Sequence, residues 1–379
     1  MNLIVVLVVL SLMLMSNSQK TYKERIETLR TLHSLPELTR RKIGCVVGAV
    51  QADAGSVSLQ WIYDVDQISG IVADSQAAFW PVSHNPYFNL SLGSNSMYGD
   101  EFMTTLKTIA RDGDIQTFNI ARALVKKFGS PNSPYQTTLE ERGKNSYPLD
   151  GPWITKCMIN TVNNFNNDNS RPSGSESCQD NDAFFTALPA FLLNLDLDEA
   201  EQVVRLVTGN NLTLHYTRAQ FALLRHVITR GSIDQPSDLE TSLGDEFSDV
   251  ADDISDVFDS LGPYFNGEWR WRSARPVGLT EAVQHDVEKW GQSCKLPGVF
   301  RSQMSVLAAS EWNYAEMLEL NIRAGGDICG RAMFLGAVLG AHLGYFPLVI
   351  EHSYKQHWSD NGKLSVLENI IETAIKAYS

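Results

Sequence analysis

The chain has 379 residues, of which 43% are hydrophobic and 20% charged, and its formal net charge is −13. This length and composition suit one large globular domain or two ordinary ones. The acidic balance tells against a surface for nucleic acid or anionic lipid.

Residues 1–18, MNLIVVLVVLSLMLMSNS, carry no charged side chain and are apolar from Leu3 to Met15. Ser16 and Ser18 put small residues before a cut at Gln19, the pattern of a secretory signal peptide. The run is short for a bilayer span. The expectation is therefore a cleaved signal, a secreted chain and no membrane segment after its removal, with an uncleaved anchor as the alternative. Five cysteines, Cys45, Cys157, Cys178, Cys294 and Cys329, form no CxxC pair. An oxidising route would favour disulfides, but the odd number leaves at least one thiol free or paired between chains, and spacing does not give the pairing. The triplets Asn89-Leu90-Ser91 and Asn211-Leu212-Thr213 are glycosylation acceptors for a secreted chain.

Apolar residues recur at helical spacing over 22–34, 37–52, 100–128, 182–195, 197–208, 216–229, 246–260, 279–291, 300–321 and 329–345. Few runs alternate with the period of a strand, so the chain is expected to be all-α. The Pro-rich 129–152 and the asparagine-heavy 159–181 read as connections. The acidic stretch 237–260 lacks EF-hand spacing. Its residues Phe247, Val250, Ile254, Val257 and Phe258 form one stripe, which leaves the acids on a solvated face. WRWR, Trp269 to Arg272, reads as a local packing or surface feature.

Acids beside small residues recur at three places. In GCVVGAVQADAG, Gly44, Gly48 and Ala52 make a small face that lets another helix backbone approach, and Asp53 follows. In SNSMYGDEFMTTLKT, Asp100 and Glu101 open an amphipathic helix, where acids favour the exposed N–H groups or supply oxygen ligands for Mg²⁺. In AGGDICGRAMFLGAVLGAHLG, Gly325 and Gly326 precede Asp327, a natural N-cap. No Gly-Lys-Ser/Thr follows, so this is not a Walker loop. His342 and Pro347 interrupt any span, so a close-packed core helix is the better reading.

ADAG, YGDE, the lone His215 and AGGDICGRAMFLGAVLGAHLG stand in the order seen in the ADP-ribosylglycohydrolase family. WIYD (61–64), NPYF (85–88), GPWI (151–154), DNDAFFTALPA (180–190) and SCKLPGVF (293–300) extend the resemblance over about 37–350. It is nearest to the branch of J1-crystallins and selenoprotein J. The resemblance implies an all-α single domain with a central cleft, in which active members hold two Mg²⁺ ions and hydrolyse glycosidic bonds of ADP-ribose. The organisation expected is a signal peptide over 1–18, a helical lead-in over 19–36, the domain over 37–350 and a helical tail over 351–379.

The resemblance also shows departures. The Thr-Asp-Asp motif of active members is Gly99-Asp100-Glu101 here, and their Asp-x-Asp-Thr is Asp327-Ile328-Cys329-Gly330. By resemblance, Asp100, Glu101 and Asp327 are the metal ligands, sufficient for one Mg²⁺ rather than two, and Asp53 or Asp64 would activate water. Cys329 lies in the first turn of a helix, where the dipole lowers a thiol's pKa, which makes it a redox candidate. A small inert cysteine, or one tied to Cys294, is the other reading of it. Three functions follow as expectations: a J1-crystallin-type protein with an eroded Mg²⁺ site and a structural or binding role, an Mg²⁺-dependent hydrolase of ADP-ribosyl or related bonds that binds an ADP-ribose-like small molecule, and a thiol redox protein.

Overall fold

The computed structural model describes residues 34–168, 172–231, 241–261, 278–344 and 363–378, the last segment without the side chains of 363–368. The signal segment, WRWR and most of the lead-in lie outside these residues. The described chain is built of α-helices. The single strand pair among them is β1 (Phe88–Asn89) beside β2 (Leu149–Asp150), parallel, with Phe88 opposite Leu149.

Two helices form the axis. α1 (Glu37–Ser56) and α14 (Ile328–Leu343) are buried along most of their length. Their small residues explain the contact. A Cβ on Gly48 would lie 2.1 Å from the carbonyl oxygen of Gly336, and one on Gly340 would lie 2.0 Å from that of Gly44. The two backbones touch, so only glycine fits at the crossing. The small face Gly44–Gly48–Ala52 thus has its partner in Gly336 and Gly340. Tyr314 seals the crossing by donating from its hydroxyl to the Gly48 carbonyl at 2.6 Å.

The other helices surround this axis in chain order: α2 (Val65–Val72), α3 (Met97–Asp112), α4 (Thr117–Gly129), α5 (Pro134–Glu141), α6 (Lys156–Asn167), α7 (Asp182–Asn194), α8 (Leu197–Val204) and α9 (Asn211–Arg230). They are followed by α10 (Ser248–Leu261), α11 (Leu279–Trp290), α12 (Gly298–Ala309), α13 (Tyr314–Arg323) and α15 (Lys363–Tyr378), which packs on α1 and α3. α7 brings Phe184 and Phe191 onto Phe221 of α9, with ring centroids 4.9 and 4.6 Å apart. α10 buries Val250, Ile254, Val257 and Leu261, so most of its acids face outward as the stripe predicts. Asp253 is the exception: it is buried and is bonded by Tyr216 and Arg301.

Four stretches differ from the expected pattern, the first being the Pro-rich 129–152, which is not all connection because α5 lies within it. The pattern over 100–128 is two helices, divided at Gly113, which closes α3 with a left-handed φ of 74°. The pattern over 300–321 is also two, divided at Glu311 and Trp312, both at positive φ. The polar 159–181 is not all connection, because α6 occupies its first part. Thr155 caps α6 by accepting from the Met158 N–H, and Cys157, Met158, Thr161 and Val162 form its buried face. No described helix is long and apolar enough to cross a membrane.

Candidate functional site

Four chain segments meet at the N-terminal ends of α3, α7 and α14. Segments 179–181 and 294–296 pair through Asn181 N–H to Cys294 O at 2.9 Å and Leu296 N–H to Gln179 O at 3.0 Å. Segments 61–62 and 326 pair through Trp61 N–H to Gly326 O at 2.8 Å and Gly326 N–H to Ile62 O at 2.7 Å. Gly325 and Gly326 hold φ of 70° and 75°, and a Cβ on Gly326 would lie 2.4 Å from Gln292 O. Fully buried Arg331 ties the loops together. It donates to Asn321 Oδ1 at 2.9 Å, to Gln292 O at 3.2 Å and to Gly325 O. Burial lowers its pKa to about 10, and the opposing charge of Asp327 supports its charged form.

Asp327 caps α14, its Oδ1 accepting from Gly330 N–H at 3.2 Å and from Gln60 Nε2 at 2.5 Å. Its Oδ2 accepts from the Tyr98 hydroxyl at 2.7 Å. Asp53, on the last turn of α1, accepts from Asn95 Nδ2 at 2.9 Å and from Ser96 N–H at 2.8 Å on Oδ2, and from Ser96 Oγ at 2.5 Å on Oδ1. Asp100 turns the other way, toward the Tyr135 hydroxyl at 2.6 Å and Lys127 Nζ at 2.7 Å. Glu101 points inward, and its Oε2 accepts from Thr186 Oγ1 at 2.9 Å. Asp64 is an exposed N-cap of α2, bonded by the N–H groups of Asp66 and Gln67. His215 pairs with Asp249 at 2.9 Å on the outer face of α9.

Asp180 and Asp182 also belong to the cluster, although only their fragment, and neither acid, stood out in the sequence. Two acids at a helix start were the available signal. Asp182 is fully buried and accepts from Thr155 Oγ1 at 2.5 Å. Glu101 Oε1 and Asp182 Oδ1 have no partner. Burial first pushes both carboxyls well up, and the charge of Asp182 adds to this for Glu101 as that of Asp180 does for Asp182. Beside the acids stands an aromatic wall. Trp61 meets Tyr87, Phe88 and Trp153 at 5.4–5.6 Å, and Arg142 lies 3.5 Å over Trp153.

Cys329 is buried with its Sγ 3.7 Å from the Asp53 carbonyl oxygen, and it is not bonded to Cys294. Burial and the charges of Asp53 and Asp327 push its thiol well up, which outweighs the helix-dipole lowering expected from the sequence. Cys45 is buried too, and Cys294 is partly exposed. In the native protein iodoacetamide is expected to modify Cys294 before Cys329 or Cys45, which should react only on unfolding. Peptide mass spectrometry that finds Cys329 modified first would contradict the burial.

Burial raises the Asp53 carboxyl from 3.8 to about 6 against the opposing hydrogen bonds from Ser96 and Asn95. A raised folded-state pKa means that the native protein holds this proton more tightly than the unfolded chain. Its contribution, about 3 kcal/mol, is fully present below pH 3.8 and is lost as pH rises through about 6. Urea midpoints measured from pH 4 to 7 are expected to show this component, and Asp53→Asn is expected to flatten it. An unchanged slope in the variant would contradict the assignment.

A metal centre does not fit these residues. Among the described residues no group of three or more His, Cys, Asp or Glu is placed to hold an ion. Donors of the chain itself take both oxygens of Asp53 and Asp327 and Oδ2 of Asp100. The position of the motif threonine is also filled, since a Cβ on Gly99 would lie 2.4 Å from Asp53 Oδ2.

A sequence model of the ADP-ribosylglycohydrolase family matches residues 34–369. Crystallin J1A of Tripedalia cystophora is 26% identical over 311 residues, covering 80% of this chain and 88% of its own. Crystallin J1B of the same animal is 23% identical over 316 residues, covering 82% and 90%. The solved structure of an ADP-ribosylglycohydrolase-related protein complex shares the fold, with a TM-score of 0.53 and 14% identity over 91% of this chain and 100% of that one. With the family's sequence model spanning most of its length, this chain belongs to the ADP-ribosylglycohydrolase family.

Proposed function

We propose that this protein uses the glycohydrolase scaffold in the manner of a J1-crystallin, as a stable structural or binding protein whose former ligand carboxylates now anchor the fold. One observation carries the reading: Asp327, Asp53 and Asp100 are each bonded to donor groups of the chain, from Gln60, Tyr98, Ser96, Asn95, Tyr135 and Lys127. Magnesium prefers carboxylates and waters in an octahedral shell, and would have to displace these donors. Without cations, the acids beside the aromatic wall repel a diphosphate, which disfavours ADP-ribose as a resident ligand.

Secretion belongs to the same proposal. The Cys157–Cys178 disulfide supports an oxidising compartment. Of the two glycosylation acceptors Asn211 is exposed at the start of α9, whereas Asn89 is half-buried and donates to Asp150 at 3.4 Å.

Calorimetric titration with Mg²⁺ and an assay for ADP-ribose release from ADP-ribosylated arginine or serine test the reading. No saturable heat and no release are expected. Stoichiometric binding that Asp100→Ala abolishes, accompanied by hydrolysis, would establish the retained hydrolase instead.

A further inference from the structure

We propose that a glycan on Asn89 occupies the exposed aromatic wall, its first sugar stacked on Tyr87 and Tyr147. Secretion, proposed above, is its precondition. Asn89 begins the acceptor triplet Asn89-Leu90-Ser91, and Ser91 is exposed. Strand alternation puts Tyr87 and Asn89 on one face and Phe88 on the other. Burial agrees: Tyr87 is 40% exposed and Phe88 only 1%. The ladder bonds from Leu149 N–H to Tyr87 O at 2.9 Å and from Gly151 N–H to Asn89 O at 3.1 Å hold this arrangement. Residues two apart on a strand lie about 7 Å from each other, so a sugar on Asn89 Nδ2 reaches the Tyr87 ring.

Tyr147, 44% exposed, meets Tyr87 at 5.9 Å with the rings 71° apart. Trp153 backs both, at 5.8 and 6.2 Å. Large aromatic rings left open side by side mark a contact surface rather than scattered exposure. The acids of the cluster repel an anionic occupant, and Arg142 over Trp153 repels a cationic one. A neutral pyranose suits both: the C–H groups of one face lie on the rings, and its hydroxyls face water and Asp150. In the transfer, Nδ2 forms a bond to the anomeric carbon of a lipid-linked diphosphate oligosaccharide. The lipid diphosphate leaves with the bonding pair, and Nδ2 gives one proton to a base of the transferase. The second N–H remains for Asp150, which Asn89 Nδ2 meets at 3.4 Å. That distance is longer than usual for N–H···O, so the amide is not clamped. A sugar seated there covers the aromatic side of the acid cluster, and the wall then holds the chain's own carbohydrate.

The full chain, expressed with its own signal in a eukaryotic secretory host, tests this, with peptide mass spectrometry reading both acceptors. Asn89 is expected to carry a glycan. Its release from native protein by a peptide N-glycosidase is expected to be about fivefold faster in Tyr87→Ala, the factor equivalent to about 1 kcal/mol. Tyr87→Phe keeps the ring and is expected to match the wild-type rate. Tyr147→Ala is expected to speed release as well, and carries the comparison if Tyr87→Ala fails to fold. Secreted chain with Asn89 bare would overturn the proposal and leave secretion standing. Chain retained in the cytosol with both acceptors bare would remove secretion and the proposal together. Equal release rates in wild type and the alanine variants would overturn the stacking.

Discussion

Asp327→Ala is expected to lose about 3–5 kcal/mol of folding stability, the range for breaking a buried charged network. The substitution strips acceptors from the Tyr98 hydroxyl, the Gln60 amide and the Gly330 N–H. Each of these groups is buried, and an unsatisfied buried donor costs about 1–3 kcal/mol. It also leaves Arg331, fully buried, without the charge opposite it. Asp327→Asn keeps an acceptor and loses the charge, so its loss should be smaller. Urea unfolding followed by circular dichroism measures both. The sign separates two kinds of site: an acid held among other acids for a metal relieves repulsion when removed, and the metal-free protein becomes more stable. An unchanged or raised midpoint for Asp327→Ala would therefore count against an anchoring role.

Gly48→Ala is the second large effect. The added methyl would sit 2.1 Å from Gly336 O and 2.9 Å from Gly340 Cα, and both are backbone atoms in the middle of a buried helix. No side chain can rotate away, so α1 and α14 must move apart. The cost is about 3 kcal/mol, the upper part of the range for overpacking, which in a domain of this size corresponds to a fall in Tm of roughly 4 °C. Gly70→Ala, where a Cβ meets nothing within 4 Å, is the control and should leave Tm within about 1 °C. Equal melting of the two variants would mean that the crossing is looser than described.

Much of this fold is written in spacing. The small face Gly44–Gly48–Ala52 and the glycines Gly336 and Gly340 foretell a close helix pair, and the stripe of α10 foretells its buried side. Local sequence was less direct where a cap overrides periodicity. Asp112-Gly113-Asp114 is a helix stop inside an otherwise continuous apolar pattern, and its left-handed glycine ends α3. α6 is hidden by its asparagines, because its helical face comes from Met158, Thr161 and Val162 packing inward rather than from propensity.

The candidate site was legible as positions and not as directions. Asp53, Asp100, Glu101 and Asp327 all lie at or near helix ends, as the sequence suggests. Whether their oxygens meet one another or meet donors depends on partners far away in the chain. Gln60 is 267 residues from Asp327, and Tyr135 is 35 residues from Asp100. No local pattern encodes such pairings. Asp180 and Asp182 were hidden for the same reason, since their place beside Cys294 and Glu101 follows from the 179–181 and 294–296 pairing. Cys329 shows how a local rule is overruled. A first-turn position favours a thiolate, but full burial next to two carboxylates disfavours it more strongly.

On the function proposed above, Asp53, Asp100 and Asp327 are held by donors of the protein itself in place of an ion. The thermal midpoint of the wild-type chain as a function of Mg²⁺ tests it most directly, because any ion bound only by the folded state raises Tm with the logarithm of its concentration. No shift is expected from zero to about 100 times a millimolar Kd beyond that produced by matched ionic strength. A midpoint that climbs steadily with Mg²⁺, by the equivalent of about 2.7 kcal/mol over that range, and that is lost in Asp100→Ala, would contradict it.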